Sequence, residues 1–569
     1  MMQAVEVRSR PAAVVSADKT DQAGRNLWPV FAAVGVVAII LAAIRWSLAH
    51  PFGIHWDEAM YLDQAAFDAQ RLRSGMLLRL SGRIFIHGSG IAPAYRLLAL
   101  PFLGAFGFHT TLARLVSLGC YALTALFIYL ATRRIGGRAA GALAALVFCL
   151  SPEVVSASIF FGTDAPLYLA TAAMLYYMFV CWTSETEPPG NWIGLGLAIG
   201  LGFLAKASFA AICFPVLAYW FAIGRWSRVS IPSLTSQRKA GVLAFLVAAP
   251  WWVLNLKPAV AFTGHARGFI RKSLGSPSLA TGLRWLNTVW QGMLGHGTSL
   301  LMVLVVVGCV AKLAAGNRAV FQPMQRLAFG ACTCAGLPIM AAQLSGTNHL
   351  LRHISPAMVP IGIGLGLLAD GAGWTSSMAL RATAVTLLCG QLLMLLWPVF
   401  FPNRQPADLG FANTALPWRV MSRFDQWDWE PIRELSYRCG LGDPNISYLG
   451  GGRAIDPPQI QFPWVTHVTR EADGTLDYPN VNWLWRYEDG PIDWKKVMDA
   501  ADHSDIVLTP PGYIGETRNE ENLDNRYNAE FADRLSQEAL FQTPVTVEMG
   551  RFEPVKVEIF VKKTLSCRN

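Results

Sequence analysis

The chain has 569 residues, 53% of them apolar and 15% charged, with a formal net charge of +9 and a mean hydropathy of +0.34. Soluble domains average about 45–50% apolar and about 25% charged residues, so a typical soluble enzyme and a disordered chain are both excluded. Lys and Arg lie mostly in loops between apolar runs, so the positive balance reads as membrane topology and not as a nucleic-acid footprint.

Residues 1–27 are polar and hold no secretory apolar core, and read as a cytoplasmic tail. The run Trp28 to Leu48 is long enough to cross about 30 Å of hydrocarbon. It begins too late and runs too long for a cleaved signal peptide, so it is expected to stay as the first span. Further apolar runs follow at roughly 112–132, 139–158, 166–182, 191–205, 207–224, 240–256, 298–315, 327–344, 354–370 and 382–400, which makes about eleven spans. Residues 90–106 are apolar too, but Pro93, Arg96 and Pro101 interrupt them, and they read as an interfacial or re-entrant helix.

With the N-terminus inside and 90–106 not counted, three short basic loops become cytoplasmic: Arg133 to Arg138, Arg225 to Lys239 and Lys312 to Arg326. That agrees with the excess of Lys and Arg in cytoplasmic loops. The expected topology is N-in and C-out. It places Asp57 and Glu58 in a first outer loop (50–111), and Asp164 and Lys206 at outer turns. A large outer loop (257–297) holds His265, Arg267, Arg271 and Lys272, and a later one holds His349, Arg352 and His353.

Residues 403–569 have ordinary soluble composition. Short apolar strands are predicted at Asn445–Leu449, Asp505–Thr509 and Val555–Val561, with a helix at Trp494–Ala501. A small extracytoplasmic α/β domain is expected. Gly450-Gly451-Gly452 follows the first strand, but no G-x-G-x-x-G or G-K-[ST] pattern follows it, and it reads as a turn. Eight of the ten cysteines sit in or beside apolar runs without metal-site spacing, as buried small hydrophobes do. Cys439 and Cys567 lie in the polar part, and export would allow them to pair.

Four short stretches carry the candidate chemistry. His55-Trp56-Asp57-Glu58 puts two adjacent carboxylates beside an apolar surface, where they need a partner or a use. A carboxylate there can act as general base toward an acceptor hydroxyl, or belong to a solvated amphipathic helix. Asp164, two residues before Pro166, can serve a site or cap a helix. Lys206, between two apolar runs, can meet a phosphate or carboxylate, or snorkel to the interface. Arg352, at the mouth of a span, can clamp an anionic head group or simply flank the membrane. The outer-loop aromatics Trp56, Tyr61, Trp285 and Trp290 fit both sugar stacking and the membrane interface.

The ordered set resembles the membrane-embedded glycosyltransferases of the GT-C class. The branch it resembles contains protein O-mannosyltransferases, the lipid A aminoarabinose transferase and rhizobial galacturonosyltransferases. Asp57-Glu58 matches the acidic motif after the first span, and Asp164-Ala165-Pro166-Leu167 a D-x-P-L-like motif. Gly202 to Lys206 matches a G-x-x-x-K turn, and Arg352 to Pro360 a late R-Y-x-x-P-x-x-P motif. His353 stands where that motif has tyrosine. The family's Lys-Pro-Pro-Leu-like stretch is reduced to Ile91-Ala92-Pro93-Ala94-Tyr95, without its lysine. The likeness covers roughly residues 28–370 of a 28–402 membrane domain.

The resemblance implies a polyprenyl-phosphate-sugar donor and inverting transfer on the outer face of a bacterial inner membrane. The acceptor class is an envelope glycolipid (lipid A or lipopolysaccharide), a polysaccharide or a protein. Asp57 is expected as base, with Glu58 and Asp164 positioning the acceptor. Lys206, Arg352, His353 and His349 are expected at the donor phosphate, and His265 as a weaker candidate. No cofactor is required by this reading, and a divalent cation (Mg or Mn) would fall to Asp57 and Asp164. A protein O-glycosyltransferase, a transporter or flippase of lipid-linked sugars, and a non-catalytic assembly protein are the competing functions. A transporter would carry its charges at mid-span, whereas here they cluster toward one face.

Overall fold

The structure is a computed structural model. It describes residues 27–51, 56–86, 90–184, 186, 188–226, 233–274, 289–316, 322–344, 351–401, 427–450, 455–466, 477–486, 490–513, 525–550 and 554–568. The membrane part contains α1 (Trp28–Ala49), α2 (Trp56–Arg73), α3 (Leu77–Ser81) with a π-helical turn Gly82–Ile86, and α4 (Ala94–Phe106). Then come α5 (Thr110–Cys149), α6 (Pro152–Ile159), α7 (Asp164–Thr183), α8 (Asn191–Ala205), α9 (Ala210–Trp226) and α10 (Leu234–Leu274). It ends with α11 (Gly295–Ala314), α12 (Pro323–Leu344), α13 (Leu351–Ile354), α14 (Met358–Ala372) and α15 (Met378–Phe400).

Among the described residues, seven helices are long and apolar enough to cross a membrane, and α4, α8 and the segment Ala207–Ile223 are shorter apolar helices. One of the seven, α5, is two helices folded back on each other: the Tyr121 hydroxyl donates to the Cys149 carbonyl at 2.9 Å, and a Cβ on Gly141 would lie 2.7 Å from the Tyr129 carbonyl oxygen. Gly137 interrupts it with φ 84° and ψ 178°, a backbone conformation that glycine reaches without steric cost. Arg133, Arg134 and Arg138 flank this break, at the expected basic loop. The predicted run 139–158 is not one helix. It stops at Cys149 and restarts at Pro152, where Ser151 accepts a capping bond from the Val154 N–H. At about 1.5 Å per residue, the 13 residues of α4 span only about 20 Å, too short for the bilayer core.

The helices pack through small residues, as membrane helices do. A Cβ on Gly362 or Gly366 of α14 would lie 2.8 Å from the Ala144 carbonyl oxygen or 2.6 Å from that of Ala140, both in α5. These two backbones touch because neither position has a side chain.

The C-terminal part holds α16 (Glu430–Arg438), β1 (Asn445–Tyr448), α17 (Pro457–Thr466), β2 (Asn480–Trp483), α18 (Trp494–Asp502), β3 (Ile506–Thr509), α19 (Asn528–Gln537), β4 (Val545–Met549) and β5 (Val555–Val561). The sheet order is β2-β1-β3-β5-β4. β2, β1 and β3 are mutually parallel, and β5 and β4 add antiparallel strands beside β3. Every residue of β3 is buried, because apolar clusters cover both faces. Ile432, Ile446, Leu508 and Ile559 belong to one cluster, and Val507, Val497, Phe531 and Phe560 to the other. Cys439 and Cys567 form a disulfide between the end of α16 and the chain after β5.

This α/β unit rests on α2. Val465 of α17 packs with Ala66 and Phe67, the Phe67 and Tyr478 rings lie 4.9 Å apart, and Tyr478 donates a hydrogen bond to the Asp63 carboxyl. The helix that carries Asp57 in its first turn therefore also carries the C-terminal domain.

Candidate functional site

Asp57, Asp164, Lys206 and Arg352 come from four separate elements and meet in two ion pairs. Arg352 pairs with Asp57, and the Lys206 ammonium lies 2.7 Å from an Asp164 oxygen. Asp164 opens α7. Lys206 ends α8, and its backbone N–H donates to Gly202 at 3.1 Å. The G-x-x-x-K spacing is thus one closing helical turn that aims the lysine at the start of α7.

The pairs are coupled. Asp164 and Arg352 act on each other electrostatically as well as on their direct partners. Arg352 and Asp57 keep side-chain exposures of 26% and 25%, so a ligand can reach both. The framework behind them is dry and hydrogen-bonded. The Ser355 hydroxyl donates to the Arg352 carbonyl at 2.7 Å and is bonded to Tyr168. The Arg352 guanidinium sits 5.9 Å from the Phe160 ring centroid. Phe160 in turn packs on Tyr61, one helical turn after Asp57. A Cβ on Gly162 would strike the Tyr61 ring at 2.8 Å, so glycine lets this loop close on α2.

Glu58 departs from the expected acceptor-positioning role. Its carboxylate takes a two-pronged bond from Arg114, at 2.9 and 2.8 Å, and a third bond from the Phe161 N–H at 3.0 Å. Both side chains of the pair are 0% exposed. Glu58 therefore holds α2 against α5 and the loop before α7, and cannot touch an acceptor without unfolding this contact. Arg114 was missed in the sequence, although an arginine inside the apolar run 112–132 required a buried partner. It also donates to the His50 carbonyl at 2.5 Å, which ties it to the end of α1.

His353 lies in the charge field of Lys206, Arg352, Asp164 and Asp57. Glu153, not singled out in the sequence, feels Asp164 and Arg352. His349 lies outside the described residues, as do the side chains of His265, Trp56 and Trp290 and the whole of Trp285.

The C-terminal domain also reaches the site. Asp456 is 2% exposed and feels the charge of Asp57, and its carboxyl is pushed up to about 8, chiefly by burial. One of its oxygens caps α17 by accepting from the Gln459 N–H at 3.0 Å, and the other, Oδ2, is buried without a partner.

For a cation, the donor set is thin. Among the described residues no group of three or more His, Cys, Asp or Glu side chains is arranged to hold a metal. The two expected ligands, Asp57 and Asp164, are each already paired with a cationic side chain.

Over the whole chain, the fold matches the crystal structure of ArnT from Cupriavidus metallidurans bound to undecaprenyl phosphate with a TM-score of 0.55 at 15% identity, covering 95% of this chain and 99% of that one. Its apo state gives 0.52 at 15% identity, covering 93% and 97%. The arabinofuranosyltransferase AftD from Mycobacteria gives 0.51 at 13% identity, covering 95% of this chain and 40% of that one. The chain shares the fold of these three structures.

At these identities the structures establish architecture alone. In sequence, residues 92–254 match the family described as dolichyl-phosphate-mannose-protein mannosyltransferase. That segment includes Asp164 and Lys206 but neither Asp57 nor Arg352. A stretch of 151 residues is 31% identical to the undecaprenyl phosphate-alpha-4-amino-4-deoxy-L-arabinose arabinosyl transferase of Erwinia tasmaniensis. It covers 26% of this chain and spans 27% of that relative's length.

Proposed function

We propose that the protein is an inverting glycosyltransferase. It would move a sugar from a polyprenyl-phosphate donor to a cell-envelope acceptor at the outer face of the bacterial inner membrane. The reading includes the eleven-span, N-in and C-out topology over 28–402, with 403–569 as an extracytoplasmic domain. The observation that carries it is the meeting of the Asp57–Arg352 and Asp164–Lys206 pairs at one partly open mouth. That places a carboxylate beside two cations, as transfer with a phosphate leaving group requires. The donor class is supported by the name of the Erwinia tasmaniensis relative, an undecaprenyl phosphate-aminoarabinose transferase, and by the undecaprenyl phosphate bound in the ArnT structure.

In this mechanism the acceptor oxygen attacks the anomeric carbon, the bond from that carbon to the phosphate oxygen breaks, and the acceptor proton passes to Asp57. A positioned base of this kind contributes about 10²–10⁴-fold in rate. The lipid phosphate leaves with an added negative charge, which Lys206 and Arg352 neutralise in a low-dielectric site. A phosphate leaving group needs little protonation, so no separate strong acid is required. Single displacement inverts the anomeric configuration.

The ion pairs add a control on the base. In the free protein Arg352 holds Asp57 as a paired carboxylate, a poor proton acceptor. A donor phosphate competes for Arg352 and releases Asp57 when the leaving group is in place. Asp164 keeps Lys206 oriented in the same way. The test is transfer of labelled sugar from a lipid extract by purified protein, followed by separation of glycolipid, polysaccharide and protein fractions. Label in a glycolipid or polysaccharide supports the reading. Label in protein alone reassigns the acceptor, and no transfer with donor exchange across vesicles supports a transporter.

A further inference from the structure

Helix α2 carries a second polar centre beyond the catalytic mouth. Positions 57, 61, 64, 68 and 71 recur at intervals of four and three, so Asp57, Tyr61, Gln64, Asp68 and Arg71 lie along one face. Tyr95 ties the stripe together. Its ring lies 4.7 Å from that of Tyr61, and its hydroxyl donates to Gln64 at 2.5 Å. At the far end opens a cavity of about 650 Å³, lined by Gln64, Arg71, Arg79, Arg83 and Arg96 with Leu78 and Gly82.

Four guanidinium groups share this cavity, and the carboxylate that meets them is Asp68. Arg96 takes both of its oxygens, at 2.6 and 2.7 Å, and Arg83 stands 3.7 Å away. Nη1 of Arg71 is buried without a hydrogen-bond partner. Burial, and after it the neighbouring Arg71, lower Arg83 to about 10. Guanidinium groups are matched in shape and charge to phosphate oxygens.

The other side of the same π-helical turn is apolar. Phe85 forms one wall of a groove of about 510 Å³, completed by Leu246, Ala249 and Val253 of α10. Asn255 fixes the turn to α10 by donating to the Phe85 carbonyl at 2.5 Å. Leu77, Leu78 and Ile86 at the rim are 59%, 89% and 57% exposed. A basic pocket next to an apolar groove, both against one turn, fits a phosphate head with a hydrocarbon tail. A soluble anion has no use for the groove.

We propose that this pocket binds the phosphate of an amphiphilic acceptor, a phosphate-bearing glycolipid, with its acyl portion against Phe85 and α10. Gln64 and Arg71 follow Asp57 by seven and fourteen residues, about 10 and 21 Å along the axis. An acceptor anchored here can extend its sugar head along the Tyr61 and Gln64 stripe to Asp57. The acceptor role rests on the transferase reading above, whereas the lipid-phosphate site stands on the pocket alone.

The test is a binding titration of the full-length protein in detergent, by calorimetry. The probes are short-chain phosphatidic acid, short-chain phosphatidylcholine and inorganic phosphate. Phosphatidic acid should bind at least tenfold tighter than either control. Arg79→Gln and Arg83→Gln, with wild-type melting temperatures, should each weaken it about tenfold. Arg79 is solvent-exposed, so its neutral variant leaves the fold intact. Asp57→Asn should keep wild-type affinity, so a failure of the catalytic reading would not register in this titration. Unchanged affinity in both arginine variants overturns the site. Inorganic phosphate binding as tightly as the lipid overturns the amphiphile. Loss of lipid binding in Arg352→Met but in neither arginine variant places the lipid at the donor site, and also overturns the proposal.

Discussion

Asp57 and Glu58 are adjacent in the chain and face different arginines. Asp57 pairs with Arg352 at the open mouth, and Glu58 with Arg114 in the sealed interior. Successive helical residues point about 100° apart, so one acidic dipeptide serves two jobs. Glu58 anchors α2, and the anchored helix presents Asp57.

This division predicts opposite phenotypes for the two neighbours. Removing one partner of a buried ion pair costs about 3–5 kcal/mol, because the other charge is left uncompensated. Glu58→Gln and Arg114→Met should each lower the melting temperature of the detergent-solubilised protein strongly. Asp57→Asn should leave it near wild type. Equal melting temperatures for Glu58→Gln and wild type would contradict the anchoring role.

Lys206 and Arg352 are expected to act on the donor. A hydrogen bond to a charged group is worth about 1.5–3 kcal/mol, and about 1.36 kcal/mol is tenfold in rate. Lys206→Met should therefore lower kcat/KM for the donor by roughly ten- to hundredfold, with KM for the acceptor unchanged. A loss confined to the acceptor KM would move Lys206 to the other substrate.

Asp456 gives the protein a pH dependence of known sign. Its carboxyl rises from 3.8 to about 8 on folding, chiefly through burial. Between those values the folded state holds a proton that the unfolded chain releases, so this group's contribution is full below the unfolded value and is lost as pH climbs through about 8. Asp456→Asn stays neutral at every pH. Its melting temperature relative to wild type should therefore rise between pH 5 and pH 9. Parallel pH curves for the two proteins would exclude this role.

The Cys439–Cys567 disulfide closes a separation of 128 residues. Native disulfides typically contribute about 2–5 kcal/mol. Cys567→Ser should destabilise the C-terminal domain and speed its limited proteolysis, while the membrane part stays intact. A wild-type cleavage pattern would show that the bridge is dispensable.

Much of this architecture was legible along the chain. The three predicted strands and the helix at 494–501 are present, because each carries its own local period. The pairings were not legible. Arg352 and Asp57 are 295 residues apart, and nothing local to either names the other. The run 139–158 looked continuous because hydropathy ignores a capping serine, and Ser151 breaks it. Arg71, Arg79, Arg83 and Arg96 are spread along the chain, and no motif joins them. The packing of α2, α3, the π-helical turn and α4 brings them to one cavity.

The most direct measurement is sugar transfer from lipid extract by wild type and by Asp57→Asn, both shown to be folded by their melting temperatures. Asn keeps the shape of the side chain and cannot take a proton. A loss of about a hundredfold or more in rate, about 2.7 kcal/mol of barrier, is expected. Transfer at the wild-type rate would contradict Asp57 as the base.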